Sequence, residues 1–319
     1  MCADPYEPAV NRPSRARAGS GYLIGGAILL AFVAFVHWYL GWGRLLRPWT
    51  RLSPPAVAVA AGLMIASYGV RALRLRDYFP GPMTGRFPAT LRLTLQHNLW
   101  NNVLPMRTGE ASFPVLMARY FQIPPARSLP ALLWFRFLDI HTLLACALAA
   151  LGGLWLDTPA AAALAALWMT LPWAGYRLSR RHAVAPPAPR RLARLVQGVA
   201  AGLPATHGAF WRAWGWTLAN WAIKFAALAW VLRQFVPLSP AAAVLGVIGG
   251  DATSVLPIHG VAGAGTYEAG IMAGLAASGA APAPQAALTG AVNLHLFILS
   301  AALIGGGAGW CLPGRPHGE

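Results

Sequence analysis

Six uninterrupted apolar stretches, each about 20 residues long, limit what this chain can fold into. A helix of that length, made of mostly apolar residues, crosses the hydrocarbon core of a bilayer. Of the 319 residues, 57% are hydrophobic and 11% are charged, whereas about a quarter of the residues are charged in a typical soluble domain. We therefore predict an all-α polytopic membrane protein with six spans, at 21–42, 54–73, 128–155, 159–178, 211–235 and 285–310.

Two further apolar stretches, 87–121 and 240–279, are interrupted by proline and glycine. They contain the related sequences VLPMRTGEA and VLPIHGVAGAGTYEA, which share Val-Leu-Pro and Thr-x-Glu-Ala. Irregular backbone at membrane depth is tolerated only where it is buried in protein or lines a wet cavity. The two stretches are therefore predicted to form re-entrant helical hairpins.

Each predicted hairpin carries residues that suit the start of its second helical arm. Thr108 and Thr266 are good N-cap residues, because a threonine hydroxyl accepts a hydrogen bond from a free backbone N–H. Glu110 and Glu268 follow two residues later, where a carboxylate suits the positive end of the helix dipole. The acids either only cap the two arms or belong to an anion-favouring focus where the two helix starts meet. Both interpretations are compatible with the sequence.

The arginines orient the chain, which has a net charge of +16. They concentrate in the N-terminal tail, after the second span from Arg71 to Arg92, and in the loop after the fourth span. Cytoplasmic loops of membrane proteins carry an excess of Lys and Arg, so these regions are predicted to be cytoplasmic, as are both termini. No soluble module is predicted that would bind nucleic acid.

A single membrane domain is therefore predicted to contain two halves of opposite orientation, which form an inverted repeat. The basic loop is predicted to be a surface helix or a solvated linker. The predicted boundaries are a cytoplasmic tail at 1–20, a membrane domain at 21–312 with halves at about 21–155 and 159–312, a basic cytoplasmic loop at 179–207, and a C-terminal tail at 313–319.

Polar residues recur at similar depth in these apolar stretches, although each buried charge in a membrane costs at least a few kcal/mol. Arg136 and Asp139 are three residues apart, on one helical face, and either they or Lys224 and Asp251 could be structural ion pairs. For the whole set, a functional cavity is the favoured interpretation. The candidate substrate-binding residues are Asn101, Asn102, Arg107, Glu110, Arg136, Asp139, Lys224, Asp251, His259, Glu268 and Asn293. No cofactor, metal site or catalytic residue is predicted.

The stretch HNLWNNVLPMRTGEAS, followed by ARYF and RFLD, resembles the lysylphosphatidylglycerol synthase transmembrane-region family of flippase-like proteins. The first family motif corresponds to Asn101, Asn102, Leu104, Pro105, Arg107, Gly109 and Glu110. The second corresponds to Pro257, Gly260, Gly263, Gly265 and Glu268. The resemblance implies lipid translocation or lipid handling rather than aminoacyl transfer, because the soluble transferase domain of the bifunctional members is not predicted in this chain.

The expected function is therefore movement of a lipid, or of another amphiphile with a polar head, across a bacterial inner membrane. Arg107 and Arg136 are expected to attract a phosphate, while Glu110, Asp139, Asp251 and Glu268 balance charge, contact a cationic head or take up protons. The expected partners are a membrane phospholipid, anionic lipid headgroups and a lipid-synthesis enzyme. The alternatives are an intramembrane transferase with carboxylates as acid–base groups, and an accessory subunit of a lipid or glycan pathway.

Overall fold

The computed structural model describes residues 27, 29–182, 202–204, 206–253, 261–280 and 282–314. Within these ranges every regular element is a helix, so the all-α prediction is confirmed. The tail at 1–20, most of the basic loop at 179–207, His259 and residues 315–319 lie outside them. The helices are α1 (Leu29–Leu40), α2 (Trp42–Leu46), α3 (Pro54–Tyr78), α4 (Pro80–Met83), α5 (Phe87–Val103), α6 (Ser112–Phe121), α7 (Pro125–Trp155), α8 (Thr158–His182), α9 (His207–Phe235), α10 (Pro240–Thr253), α11 (Thr266–Ala277) and α12 (Pro284–Cys311).

Three of the described helices are long and apolar enough to cross a membrane by themselves, namely α3, α7 and α12. The number rises to 5 if each of two bent pairs counts as one span. In one pair α1 meets the following segment at 84°, and in the other α9 meets α10 at 110°. The helices therefore support three to five of the six predicted spans, and α8, which covers the predicted span at 159–178, is not among them.

Large apolar side chains cover much of the outer surface. Ile65 on α3 is 70% exposed, Ile304 on α12 is 72% exposed, and Leu167 on α8 is 64% exposed. Large apolar side chains that are this exposed are expected on helices that face lipid tails. Inside, residues such as Leu228 and Ile271 are fully buried between α9, α10, α11 and α12.

The long helices pack in a regular order around the centre of the protein. Helix α3 packs along α9, α5 packs along α12, and α10 packs against α7. Two short 3-10 segments, Pro105–Ala111 and Val261–Gly263, also contact one another. Each of these segments precedes the second arm of a predicted hairpin, so the described starts of these two arms lie close together.

The predicted N-caps at Thr108 and Thr266 are wrong. Thr108 lies inside the first 3-10 segment, and α6 begins only at Ser112, so Glu110 is not in the first turn of an α-helix. Thr266 is the first residue of α11, and its N-cap is Gly265 at a φ of 82°. The Gly265 N–H donates to Glu268 Oε2 at 2.8 Å. Glu268 therefore lies in the first turn of α11, as predicted. Glycine is favoured at that positive φ because it has no Cβ.

Glycines allow the two arms α10 and α11 to pack backbone against backbone. Gly249 faces Gly270, and Gly274 faces the carbonyl of Leu245. A Cβ built on either Gly249 or Gly270 would collide with the carbonyl oxygen of the other. The order of these contacts shows that the two arms run antiparallel, and small residues at such a contact are typical of helix packing in membranes.

We expect Gly270→Ala to lower the free energy of unfolding by about 1–3 kcal/mol, the usual cost of overpacking a tight contact. The matched control is Gly307→Ala on α12, where an added Cβ meets no heavy atom within 4 Å. Melting temperatures of the two variants in the same detergent measure the difference. Equal melting temperatures would contradict the close packing of α10 on α11.

Candidate functional site

A polar cavity of about 220 Å³ lies at the centre of the helices. Its walls come from α3, α5, α7, α9, α10, α11 and α12 and from both 3-10 segments. Three cationic and three acidic side chains line it, although the chain as a whole is rich in apolar residues. Seven of the predicted site residues are among the lining residues: Asn101, Asn102, Glu110, Arg136, Asp139, Lys224 and Asp251.

The asparagines reach the cavity because α5 carries a polar face near its end. Asn101 and Asn102 follow Asn98 by three and four residues, which places both of them on the same side of the helix as Asn98. The Asn102 amide donates to the Asn98 carbonyl at 2.7 Å, and Asn101 hydrogen-bonds His97 Nε2 at 3.1 Å. His97 in turn hydrogen-bonds Ser112 Oγ on α6 at 2.9 Å. This chain of contacts ties α5 to α6.

Two carboxylates and two arginines form a network between α3, α7 and the first 3-10 segment. Arg136 Nη2 lies 2.6 Å from Glu110 Oε1, and Arg136 Nη1 lies 3.6 Å from Asp139 Oδ2. The predicted Arg136–Asp139 pair therefore exists, but Asp139 has a closer partner in Arg74, at 2.8 Å. Arg74 also donates to Thr217 Oγ1 at 3.0 Å, which links the network to α9.

The sequence analysis missed Arg71 and Arg74 because it placed both in a cytoplasmic segment. In the structure α3 continues to Tyr78, and both arginines lie on its inner side. Their spacing from Met64 and Ser67 could have indicated this position, because steps of three and four residues continue one helical face. An arginine that follows an apolar run commonly marks the end of a span. The prediction therefore followed the positive charge of these residues rather than their helical spacing.

A second ion pair also lines the cavity. Lys224 Nζ on α9 is 2.9 Å from Asp251 Oδ2 on α10, as the sequence analysis suggested. Lys224 also lies over the Trp221 ring, at 4.9 Å from its centroid, and Trp221 Nε1 donates to Asp139 Oδ1 at 3.2 Å. The two charged clusters are thus joined by one indole ring.

Two predicted site residues are buried outside the cavity wall. Glu268 is 2% exposed and accepts from the Gly265 N–H, and its Oε1 lies 2.7 Å from His295 Nδ1. Asn293 is fully buried, accepts from Trp49 Nε1 at 2.6 Å and donates to the Leu45 carbonyl at 2.9 Å. Glu268 therefore caps α11 and orients His295, which does line the cavity, and Asn293 anchors α2.

Arg107 lies in the first 3-10 segment, where the structure describes its backbone only. Its predicted contact with a phosphate therefore remains a prediction, and so does the role of His259. Among the described residues, no group of three or more His, Cys, Asp or Glu side chains is placed to hold a metal ion.

Comparison with protein families shows to which family the chain belongs. The sequence model of the family described as "Lysylphosphatidylglycerol synthase TM region" matches residues 22–305. The chain belongs to this family. The matched range includes both interrupted stretches and every residue that lines the cavity, so the cavity is built within the family's own membrane region. No curated protein and no solved structure matches the chain.

Proposed function

We propose that the protein moves a lipid, or another amphiphile with a polar head, between the two leaflets of a membrane. The observation that carries this proposal is the central cavity, with three cationic and three acidic side chains inside a helical bundle whose outer surface is apolar. Charged groups within a membrane are expensive, and they usually mark the pathway of a substrate or an ion.

The size of the cavity suits a headgroup rather than a whole lipid. Pockets that enclose a drug-sized ligand have volumes of about 300–1,000 Å³, whereas this cavity has about 220 Å³. The polar head would therefore enter the cavity while the acyl chains remain in the bilayer. The movement in this proposal is passive or coupled to an ion.

The helix contacts support the proposed six spans with two re-entrant hairpins. Arg86 at the start of α5 donates to the Tyr120 carbonyl at the end of α6, at 3.0 Å, so the first hairpin begins and ends on one side. Arg92 donates to the Leu312 carbonyl at 3.0 Å, so the end of α12 lies on that same arginine-rich side. Because arginine is enriched on the cytoplasmic side, we propose that both termini face the cytoplasm and that the membrane is a bacterial inner membrane.

The pairing of the helices also supports an inverted repeat. Helices α3, α5, α6 and α7 of the first half correspond in order to α9, α10, α11 and α12 of the second. Helix α3 packs on its counterpart α9, and α5 packs on α12 as α10 packs on α7. Repeats of this kind place the substrate site at the interface of the two halves, which is where the cavity lies.

Purified protein in liposomes with a fluorescent phosphatidylglycerol tests the proposal. A lipid transporter would change the sidedness of the labelled lipid and leave its mass unchanged. A transferase would change the mass, and an accessory subunit of a lipid or glycan pathway would change neither. A change of mass, or no change of sidedness compared with empty liposomes, would overturn the proposal.

Within this assay, we expect Glu110→Gln to slow lipid movement by at least about tenfold, because Arg136 loses a charged partner at 2.6 Å and charged hydrogen bonds contribute about 1.5–3 kcal/mol. Asp157→Asn is the control, because Asp157 is an exposed acid before α8. Unchanged movement in Glu110→Gln would argue against this wall of the cavity as part of the route. Arg107→Ala is expected from the sequence to abolish movement in the same assay.

A further inference from the structure

Arg71 differs from the other cationic side chains at the cavity. Arg136 pairs with Glu110 and Asp139, Arg74 with Asp139, and Lys224 with Asp251. Arg71 lines the cavity, but no carboxylate of the described residues lies within 4.0 Å of it. An uncompensated guanidinium at membrane depth is costly, so this position favours an anion from outside the chain.

The guanidinium of Arg71 is oriented by one contact and is otherwise open. Its Nη1 donates to Asn98 Oδ1 at 2.8 Å, and the Asn98 amide donates to the Tyr68 hydroxyl at 3.3 Å. The Nε and Nη2 atoms of Arg71 make no hydrogen bond to the described residues, and neither is sealed from solvent. These two N–H groups point the same way and form the edge of an arginine that binds two oxygens of one carboxylate or phosphate.

The surroundings of Arg71 carry an excess of positive charge. A second, smaller cavity of about 40 Å³ adjoins the first and shares Arg71, Arg136 and Asp139 with it, and Arg74 also lines it. Three guanidinium groups thus surround Asp139, with Glu110 as the second carboxylate of the network. In the main cavity, Lys224 and Asp251 balance each other. The excess positive charge therefore belongs to the group that contains Arg71.

We propose that Arg71 binds a phosphate group through Nε and Nη2, with Asn98 holding the guanidinium in place. The identity of the phosphate as a lipid headgroup rests on the proposed function, whereas the site itself does not. A phosphate bound here offsets the charge that the described residues leave unpaired, and it places the headgroup beside the guanidinium groups that line the smaller cavity. Arg136, which the sequence favoured for this role, already has two carboxylate neighbours.

The test is calorimetric titration of the purified full chain in detergent. Three ligands are compared: inorganic phosphate, short-chain phosphatidylglycerol, and the matching diacylglycerol, which lacks the phosphate. We expect phosphatidylglycerol to bind and the diacylglycerol not to bind. Binding of inorganic phosphate as well would assign the site to phosphate from either source, and binding of phosphatidylglycerol alone would assign it to a lipid headgroup. A wild-type protein that binds neither phosphate ligand overturns the proposal.

Three variants separate the site from the fold. Arg71→Gln is expected to weaken phosphatidylglycerol binding about 10- to 100-fold, the range for a lost charged hydrogen bond. Arg71→Lys keeps the charge but loses the paired N–H groups, and we expect about a tenfold loss. Asn98→Asp leaves Arg71 in place and gives its Nη1 a carboxylate partner, so the protein should remain at least as stable while binding weakens about tenfold. Arg51→Gln, at an exposed position, should bind like wild type.

Unchanged affinity in all three variants would overturn the Arg71 site. The lipid-movement assay distinguishes this failure from that of the proposed function. If the protein binds phosphate through Arg71 but moves no lipid, the Arg71 site is supported and the proposed function is wrong. If wild type and the three variants move lipid at equal rates and bind phosphatidylglycerol with equal affinity, the proposed function is supported and the Arg71 site is wrong.

Discussion

Asp139→Ala is expected to lower the free energy of unfolding by about 3–5 kcal/mol, the usual cost of removing one partner of a buried ion pair. Asp139 Oδ1 lies 2.8 Å from Arg74 and accepts from Trp221 Nε1 at 3.2 Å, and Oδ2 lies 3.6 Å from Arg136. The Arg74 side chain is only 8% exposed. Without the carboxylate, Arg74 remains a buried cation that is poorly solvated by water and has no other acid of the described residues within 4.0 Å.

The melting temperature in detergent measures this loss, and Asp157→Ala provides the matched control. Asp157 is exposed, and its Oδ1 accepts from the Ala160 N–H at 2.8 Å at the start of α8. Loss of such a cap costs about 1 kcal/mol. We therefore expect a much smaller shift for Asp157→Ala than for Asp139→Ala. Equal shifts would mean that the buried network contributes no more to stability than one exposed cap.

The second large effect is expected at the ion pair between Lys224 and Asp251, which lie 2.9 Å apart. Asp251→Ala leaves Lys224 without its carboxylate, and breaking a buried pair costs about 3–5 kcal/mol. The Lys224 side chain is 28% exposed whereas that of Asp251 is 7% exposed, so the loss should fall at the lower end of this range. Partial exposure lets cavity water solvate the remaining ammonium group.

A double variant separates a structural role of this pair from a functional one. Replacing both partners of a buried ion pair by apolar residues of similar size is often neutral or stabilising. Lys224→Met combined with Asp251→Leu should therefore recover most of the melting temperature that Asp251→Ala loses. If the pair belongs to the route of the headgroup, the double variant should still fail to move lipid in liposomes. Recovery of both stability and lipid movement would show that the pair is only structural.

The arginines of α3 show which features of the candidate site the sequence could not predict. A basic residue soon after an apolar run favours the end of a span, and this rule placed Arg71 and Arg74 in the cytoplasm. The structure instead buries Arg74 against Asp139, a residue 65 positions further along the chain. Such a partner cannot be identified from local pattern, because the pattern records which residues share a helical face but not which helices pack together.

Asn293 and Glu268 also have partners that the sequence could not identify. Both were correctly recognised as polar residues buried in an apolar chain. Each is satisfied, however, by a group that the sequence could not assign to it: Trp49 for Asn293 and His295 for Glu268. Buried polar groups need partners, and whether the partner is protein or ligand depends on the packing around them.

The amino-acid sequence by itself determined the helical class of the protein, its membrane character, the position of the two interrupted stretches and the resemblance to its family. Each of these follows from signals within about 20–40 neighbouring residues, such as apolar length, helical spacing and glycine or proline breaks. Only the tertiary structure decided which charges neutralise each other and which guanidinium remains open. Those outcomes depend on distances of a few ångströms between separate helices, and at that range the packing of the bundle sets the electrostatic energy.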